Sequence, residues 1–208
     1  MELILNGKEV RDPYSIYFSN KTFNDLLQFA DEDLSCELID GVLVIKSPAS
    51  FTHESIFLFL ITLLKLYGRK HNLGTPIGSR FIMRLAEDWG PEPDIMFLTP
   101  SDQERLQEHY LDGPASVVFE ILSKSNRKTD VQKKTPQYLH DGVQEVWLID
   151  PKKKQIQLIW PDDSTLIENN EWASSRVIPG FQVNSSWLWV PNSKDETEAL
   201  AEIEEKRN

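Results

Sequence analysis

Apolar positions recur with helical spacing in two segments of the N-terminal half of the chain. They predict a short helix over residues 22–31 and a long buried helix over residues 52–70, which ends in the stretch 71–74. Between them, the sequence CELIDGVLVIK is typical of two short strands joined at Asp40–Gly41, a dipeptide that favours hairpin turns. The chain is therefore expected to begin with a helix and a hairpin, followed by a core helix.

Strand-like apolar runs dominate the rest of the chain. The pattern predicts an α/β (α+β) fold in which helices flank a mixed central β-sheet, within one domain over residues 1–191. The remaining segment, 192–208, is polar and charged and is expected to be a frayed helix or a disordered tail. The other predicted elements are strands at 77–85, 94–98 and 116–122, a helix near 129–141, and the strands EVWLID and QIQLIW on either side of residues 151–154.

Composition narrows the kinds of site that the chain can form. Its 208 residues, 40% of them hydrophobic, suffice for one sizeable core. The single cysteine excludes an internal disulfide and a CxxC metal site, and the four histidines lack the spacing of a zinc motif. No apolar run is long enough to span a bilayer, and charges interrupt the N-terminal stretch. We therefore expect a cytoplasmic protein with no membrane partner.

The net charge of −11 is unfavourable for binding a polyanion, because Lys and Arg contacts to phosphate dominate such binding. The charge is unevenly distributed, however. Five basic residues and one acidic residue lie between Lys124 and Lys134. This cationic strip is compatible with a nucleic-acid partner, although a solvated loop and helix face explains it equally well.

Two carboxylates occupy positions in apolar strands where a charge is costly. Asp94 follows Pro93 at the start of one strand, and Glu120 lies inside SVVFEIL, on the face that it shares with Val118 and Leu122. A buried carboxylate needs a partner. A hard cation such as Mg²⁺ or Mn²⁺ takes oxygen ligands from one or two carboxylates, together with water and phosphate, and would satisfy both residues.

Each candidate carboxylate also has a simpler structural explanation. Glu37 could pair across the hairpin, and Asp94 could be a turn residue that opens a strand. Glu120 could form a salt bridge with Arg80 or Arg84. The occurrence of all three carboxylates together, in this order along the chain, favours a common site.

One order of residues runs through these elements: Glu37 in CELIDG, Pro93–Asp94, Glu120–Ile121–Leu122, and then Asp130, Lys134 and Tyr138 ahead of GVQEVWLID. This order resembles the Uma family of putative restriction endonuclease-like proteins, within the PD-(D/E)XK nuclease superfamily. The similarity covers about residues 23–160. It implies a restriction endonuclease-like core whose carboxylate site binds Mg²⁺ and cuts nucleic acid.

Carried over position by position, the resemblance implies that Asp94 and Glu120 bind the metal and that Glu37 assists directly or through water. The cation would activate a water and neutralise charge on phosphate oxygens. His53, at the start of the long helix, is similar to a histidine of the family and could face phosphate or metal-bound water. Helix capping by its serine and threonine neighbours explains that segment equally well.

The usual lysine of the motif is absent, because Leu122 stands at its position. Lys134 is the preferred substitute, since Asp130, Lys134 and Tyr138 stand four residues apart and would share one face of a continuous helix. Pro136 is expected to kink that helix or to delay its start. Lys124 is the alternative lysine.

The leading hypothesis is a Mg²⁺-dependent endonuclease that hydrolyses phosphodiester bonds in DNA. An enzyme that cuts both strands is expected to be a homodimer or another homo-oligomer. The alternative hypothesis, favoured by the net charge of −11 and by Leu122, is a non-catalytic module that keeps the fold and uses its acidic surface to bind a protein or to assemble. A metal-dependent hydrolase of a small nucleotide is the third hypothesis.

Overall fold

The computed structural model describes residues 3–5, 8–10, 15–29, 36–46, 49–78, 80–123 and 127–207. Its helices are α1 (Phe23–Phe29), α2 (Phe51–His71), α3 (Pro100–Gln103), α4 (Arg127–Thr129), α5 (Thr135–Asp141) and α6 (Glu196–Arg207). A π-helical segment, Asp130–Lys134, joins α4 to α5, and a 3₁₀ turn covers Ser185–Leu188. The strands are β1 (Leu3–Leu5), β2 (Lys8–Val10), β3 (Ser15–Phe18), β4 (Cys36–Ile39), β5 (Val42–Lys46), β6 (Thr75–Gly78), β7 (Ile82–Arg84), β8 (Ile95–Leu98), β9 (Tyr110–Asp112), β10 (Val117–Ile121), β11 (Glu145–Asp150), β12 (Gln155–Ile159), β13 (Ser164–Ile167), β14 (Trp172–Ser174) and β15 (Gln182–Asn184).

The central sheet has six strands in the order β13-β12-β11-β10-β8-β6. Strands β10 and β11 run parallel, and the other neighbouring pairs are antiparallel. The predicted mixed central sheet is therefore confirmed. The strand run predicted over residues 77–85 is divided, because Arg80 has a positive φ of 68° and β7 pairs with β9 instead of joining the central sheet.

Side chains of β10 alternate between two cores. Its odd-numbered residues belong to the core formed with α2, whereas Val118 and the following Leu122 belong to the core formed with α5. Glu120 alternates with the second set. Its carboxylate therefore lies in the layer between the sheet and α5, where the residue is only 1% exposed.

Helix α2 begins at a side-chain cap and ends in a left-handed residue, as its sequence predicts. Ser50 accepts a hydrogen bond from the backbone N–H of His53, and Asn72 has φ 55° and ψ 38°. By length and composition alone, α2 could cross a membrane. Its inner side, which includes Leu60 and Leu63, is fully buried in the larger core, as in the core helix of a globular domain.

The N-terminal hairpin is tied to the segment that leads into β8. Strands β4 and β5 pair antiparallel on either side of the Asp40–Gly41 turn, as predicted. Leu38 exchanges backbone hydrogen bonds of 3.0 and 2.9 Å with Gly90. Gly90 also packs against α1: a Cβ at this position would lie only 2.7 Å from the Leu26 side chain, which would have to shift to admit it. The pairing brings Glu37, the neighbour of Leu38, beside the start of β8.

A π-helical turn accommodates Pro136 within the helix that follows β10. The N–H of Thr135 donates to the carbonyl of Asp130, five residues earlier, and the Thr135 hydroxyl donates to the same carbonyl at 2.7 Å. Pro136 then occupies the first turn of α5, where its missing N–H is tolerated. The regular helix α5 thus begins only at Thr135, which agrees with the expected delayed start at the proline.

The C-terminal segment forms helix α6, which packs against α2. Ala199 and Ile203, four residues apart, are fully buried. The segment that was expected to be a frayed helix or a disordered tail is thus a docked helix, because a narrow apolar stripe suffices to bury one face of a polar helix. The domain boundary at residue 191 stays a prediction.

Candidate active site

Three carboxylates surround the fully buried ammonium group of Lys134. Its Nζ lies 2.7 Å from Glu120 Oε1, 3.2 Å from Glu37 Oε2 and 3.2 Å from Asp130 Oδ1. The three acidic residues come from β10, β4 and the π-helical segment. One cation therefore joins the hairpin, the central sheet and the helix in a single polar cluster.

Tyr138 completes this cluster beside Glu120. Its hydroxyl donates a 2.7 Å hydrogen bond to Glu120 Oε1, the same oxygen that contacts Lys134. Lys134 and Tyr138 stand four residues apart, so both project from the helix toward β10, as their spacing predicts. Glu37 Oε2 also faces the backbone N–H of Glu92, at 3.5 Å.

Asp94 is held beside the same cluster by the backbone of β10. Strands β8 and β10 pair antiparallel with Phe119 opposite Ile95, so the next pair in the register sets Asp94 opposite Glu120. Asp94 Oδ2 accepts a 2.6 Å hydrogen bond from the N–H of Ile121. The register therefore places Asp94 and Glu120 opposite each other on neighbouring strands, as the sequence predicts.

His53, in the first turn of α2, contacts the other oxygen of Asp94. The distance from Nε2 to Asp94 Oδ1 is 3.2 Å, and Nδ1 lies 3.4 Å from Glu54 Oε1. Burial acts to lower the pKa of His53, but the hydrogen bond and charge of Asp94, with the charge of Glu54, raise it. Burial likewise acts to raise the pKa of Asp94, but His53, the Ile121 N–H and the charge of Lys134 hold it below its usual value. Asp94 is therefore a carboxylate at neutral pH.

Charges within the cluster also keep Lys134 protonated. Burial acts to lower the pKa of Lys134, yet the charges of Asp130, Glu120 and Glu37 hold it well above its usual value. Burial and the charge of Glu120 raise the pKa of Tyr138 well above its usual value. At neutral pH the cluster therefore presents an ammonium group and a neutral phenol to Glu120.

Residues 22–186 match the family Uma2, described as "Putative restriction endonuclease". The matched region spans most of the chain and includes the whole polar cluster. The chain belongs to the Uma2 family. This membership confirms the resemblance inferred from the order of residues, and the match continues beyond residue 160.

The Uma2 fold seen here is shared with a solved structure, the crystal structure of a putative nuclease belonging to DUF820 from Anabaena variabilis ATCC 29413. The TM-score is 0.72 at 18% sequence identity, and the similarity covers 81% of this chain and 97% of that chain. Because the two sequences are only 18% identical, the structural similarity shows a shared fold and nothing more. No curated protein matches the chain.

The cation beside Glu120 is a lysine from the following helix. Lys134 Nζ lies 2.7 Å from Glu120, whereas Arg84, one of the two arginines considered as its partner, contacts Asp112 at 3.5 Å and Glu87 at 3.6 Å. Lys124, the alternative lysine, lies outside the described residues. The predicted candidates that the Uma2 fold brings together are Glu37, His53, Asp94, Glu120, Lys134 and Tyr138.

Asp130 is the member of the cluster to which the sequence assigned no role. It is fully buried beside Lys134. Its spacing of four residues from that lysine predicts that the two side chains share a helix face, and the contact agrees with that spacing. Glu37 could have formed a pair across the hairpin, but the residue directly opposite it is the apolar Val44.

The donor set of this Uma2 site fits a hard divalent cation that takes few protein ligands. Within the described ranges, no three or more histidine, cysteine or acidic side chains are grouped so as to hold a metal ion. Mg²⁺ needs no such cage, because it is usually bound by one or two carboxylates while water and phosphate complete its shell. Asp94 and Glu120 supply two adjacent carboxylates, and the side chain of Asp94 is 20% exposed to solvent.

Proposed function

We propose that this Uma2 protein is a Mg²⁺-dependent endonuclease that hydrolyses phosphodiester bonds in DNA. The observation that carries the proposal is the pairing of Asp94 with Glu120 across neighbouring strands, with the ammonium of Lys134 2.7 Å from Glu120. The description of the family and the nuclease-like fold support a nucleic-acid substrate.

Asp94 and Glu120 would hold the metal ion, and Glu37 assists through the lysine that it shares with Glu120. Bound Mg²⁺ would neutralise charge on the phosphate oxygens and lower the pKa of a water molecule. Lys134 keeps its proton and would supply positive charge on the Glu120 side of the site. His53 is a positioning residue, because its contact keeps Asp94 ionised and fixes one of its oxygens.

Exposed lysines near the cluster support a polyanionic substrate despite the acidic surface elsewhere. Lys128 and Lys133 lie on the same continuous helix as Lys134 and are exposed to solvent. Phosphate contacts from such residues supply the sequence-independent part of binding. Cleavage of both strands of a duplex needs two sites, and the proposal therefore includes a homo-oligomer.

A non-catalytic module is the second candidate, because the buried carboxylates are already held by protein groups. Lys134 contacts all three carboxylates of the cluster. A cluster with such ion pairs can serve the fold without a metal. The two candidates therefore differ in whether divalent cations bind.

The deciding experiment measures cleavage of supercoiled, linear, single-stranded and branched DNA in EDTA, Mg²⁺ or Mn²⁺. We expect cleavage that requires the cation and that Asp94→Ala lowers at least about 100-fold, the size of effect seen when one charge-stabilising group is lost from an active site. Asp88→Ala is the matched control, because Asp88 is an exposed carboxylate close by in the chain. It should leave the rate unchanged.

Calorimetry with Mn²⁺ separates the two candidates. The endonuclease predicts a heat of binding that Asp94→Ala removes and Asp88→Ala retains. Absence of cleavage on every substrate, together with absence of Mn²⁺ heat, would overturn the endonuclease and leave the non-catalytic module.

A further inference from the structure

A cavity of about 460 Å³ opens on the sheet face that carries Glu120. This volume lies within the range of roughly 300–1,000 Å³ that is typical of ligand sites. The cavity lies between the helix that follows β10 and the strands β11, β12 and β13. It is lined by Leu122, Lys128, Val131, Gln132, Leu148, Asp150, Lys153, Gln155, Gln157 and Leu166, and we call it the glutamine cavity.

The register of the sheet connects the glutamine cavity to the candidate active site. Glu120 stands beside Leu148, Leu148 beside Gln157, and Gln157 beside Leu166. Residues paired in this way project from the same face of a sheet. Because neighbouring strands lie about 4.8 Å apart, Gln157 is roughly 10 Å from Glu120. The cavity therefore begins one strand away from the proposed metal ligand.

Four apolar side chains form the floor of the cavity and part of two of its sides. Leu122 and Leu148 are buried beneath it. Val131 and Leu166, on the helix side and the outer-strand side, remain 39% and 52% exposed. Apolar side chains exposed on opposite sides of a cavity suit a flat, weakly polar ring inserted between them.

The polar groups of the cavity are amides and lysines. Gln132, Gln155 and Gln157 each offer a donor and an acceptor, which can match the edge of a nucleobase. Lys128 and Lys153 are exposed at the cavity and suit the phosphate attached to such a base. The acidic residue of the lining, Asp150, is already engaged, because its carboxylate accepts a 3.0 Å hydrogen bond from the backbone N–H of Lys153.

We propose that the glutamine cavity binds one unpaired nucleobase of the nucleic acid whose backbone lies at Asp94 and Glu120. This inference rests on the proposed function and adds a substrate class to it. A base inside a continuous duplex has its edge paired and its faces stacked, so only a single-stranded, bulged or extruded base can enter such a cavity. The protein therefore prefers DNA with an unpaired nucleotide to fully paired duplex.

The test measures binding to metal-free protein in EDTA, so that its result does not depend on cleavage. Two DNA duplexes carry 2-aminopurine, one at a paired position and one as a single-base bulge. We expect the bulged duplex to bind about tenfold more tightly, within the 1–3 kcal/mol that one base contact contributes. Gln157→Leu should weaken binding of the bulged duplex about tenfold and leave the paired duplex unchanged.

Matched variants keep the inference separate from folding and from the proposed function. Gln107→Leu, at an exposed glutamine outside the cavity, should change neither affinity, and Gln132→Leu at an exposed helical position provides a second cavity variant. Lys153→Ala should reduce the salt dependence of binding by about one phosphate contact, whereas Lys152→Ala in the same turn should not.

Equal affinity for the two duplexes, or a loss caused by Gln157→Leu that is the same for both, would overturn the inference. If the protein shows neither selectivity yet still cleaves DNA, the proposed endonuclease function is retained and the base site is rejected. If the protein binds the bulged duplex selectively but cleaves none of the DNA substrates, the base site is supported and the proposed endonuclease function is rejected.

Discussion

Two buried glutamates on neighbouring parallel strands have contrasting surroundings. Glu145, at the start of β11, accepts hydrogen bonds from Trp147 Nε1 at 2.6 Å, from Trp160 Nε1 at 2.7 Å and from the backbone N–H of Arg176 at 2.6 Å. All three donors are neutral and belong to the folded framework. These donors lie on β11, directly after β12 and in the loop before β15, so the carboxylate of Glu145 holds three parts of the framework together.

Glu120, on β10, shares a cation with other carboxylates. The ammonium of Lys134 lies 2.7 Å from Glu120 and 3.2 Å from both Glu37 and Asp130. Gathering like charges around one cation opposes stability, and such arrangements are characteristic of functional sites. Burial alone therefore does not identify a functional carboxylate. The proposed role of Glu120 rests on the nature of its partners.

The largest effect is expected from Lys134→Met, which removes the shared cation and leaves three buried carboxylates facing one another. The free energy of unfolding should fall by about 3–5 kcal/mol, the usual consequence of breaking a buried ion pair from one side. Urea unfolding in EDTA measures it. Lys133→Met is the control, because Lys133 is exposed and lies 3.8 Å from exposed Asp40, and its effect should stay within about 0.5 kcal/mol. Equal stability of the two variants would contradict the account of the cluster.

Glu145→Gln tests the framework carboxylate. An amide keeps one acceptor oxygen but turns an NH₂ group toward a donor such as Trp147 Nε1. We expect a loss of about 1–3 kcal/mol in unfolding free energy, the cost of one buried group left without its partner. Tryptophan fluorescence during urea unfolding reports the change. Metal-dependent cleavage per folded molecule should stay at the wild-type level, and a selective loss of cleavage would break the distinction between the two glutamates.

Tyr138→Phe removes the neutral donor from Glu120 and keeps the cation. Because Lys134 still contacts the same oxygen, the expected loss is only about 1 kcal/mol of unfolding free energy. Tyr17→Phe is the control, since the ring of Tyr17 is 63% exposed. A loss as large as that of Lys134→Met would show that the hydroxyl, and not the ammonium, holds the cluster together.

Local patterns predicted the parts of the site that lie on single elements. Strand alternation predicted that Glu120 interrupts an apolar face, and the spacing of four predicted that Lys134 and Tyr138 act together. The π-helical turn before Pro136 was not predicted, because it depends on Thr135 donating twice to one carbonyl. Helix propensities are measured for regular α-helical turns and do not predict where a π-helical turn forms.

Contacts between distant segments account for what the sequence did not reveal. Nothing in EVWLID indicates that Glu145 accepts hydrogen bonds from Trp160 and Arg176, 15 and 31 residues away. The glutamine cavity likewise joins a helix to three strands. Its one local sign is the alternation in QIQLI, where Gln155 and Gln157 mark a sheet face that is less apolar than the core face.

The smallest effect is expected at Glu204, which resembles Glu120 in having basic side chains as partners but is partly exposed to solvent. Its Oε1 is 2.6 Å from His71 Nε2 and 3.3 Å from Lys70 Nζ. Burial acts to raise the pKa of Glu204, but these partners lower it below 4.5. A lowered pKa stabilises the fold above the unfolded value, and this contribution is lost as the pH falls through the folded value.

Glu204→Gln should therefore lower the unfolding free energy by about 0.5 kcal/mol at neutral pH, since solvent screens exposed ion pairs. The difference from wild type should shrink as the pH falls through the lowered pKa of Glu204 and vanish in stronger acid. Urea unfolding at a series of pH values measures it, with Glu205→Gln at an exposed neighbouring position as the control. A difference that persisted unchanged in acid would mean that Glu204 holds α6 to α2 by packing rather than by charge. In that case, the contrast between neutral hydrogen-bond donors and basic side chains as partners would apply only to buried carboxylates such as Glu145 and Glu120.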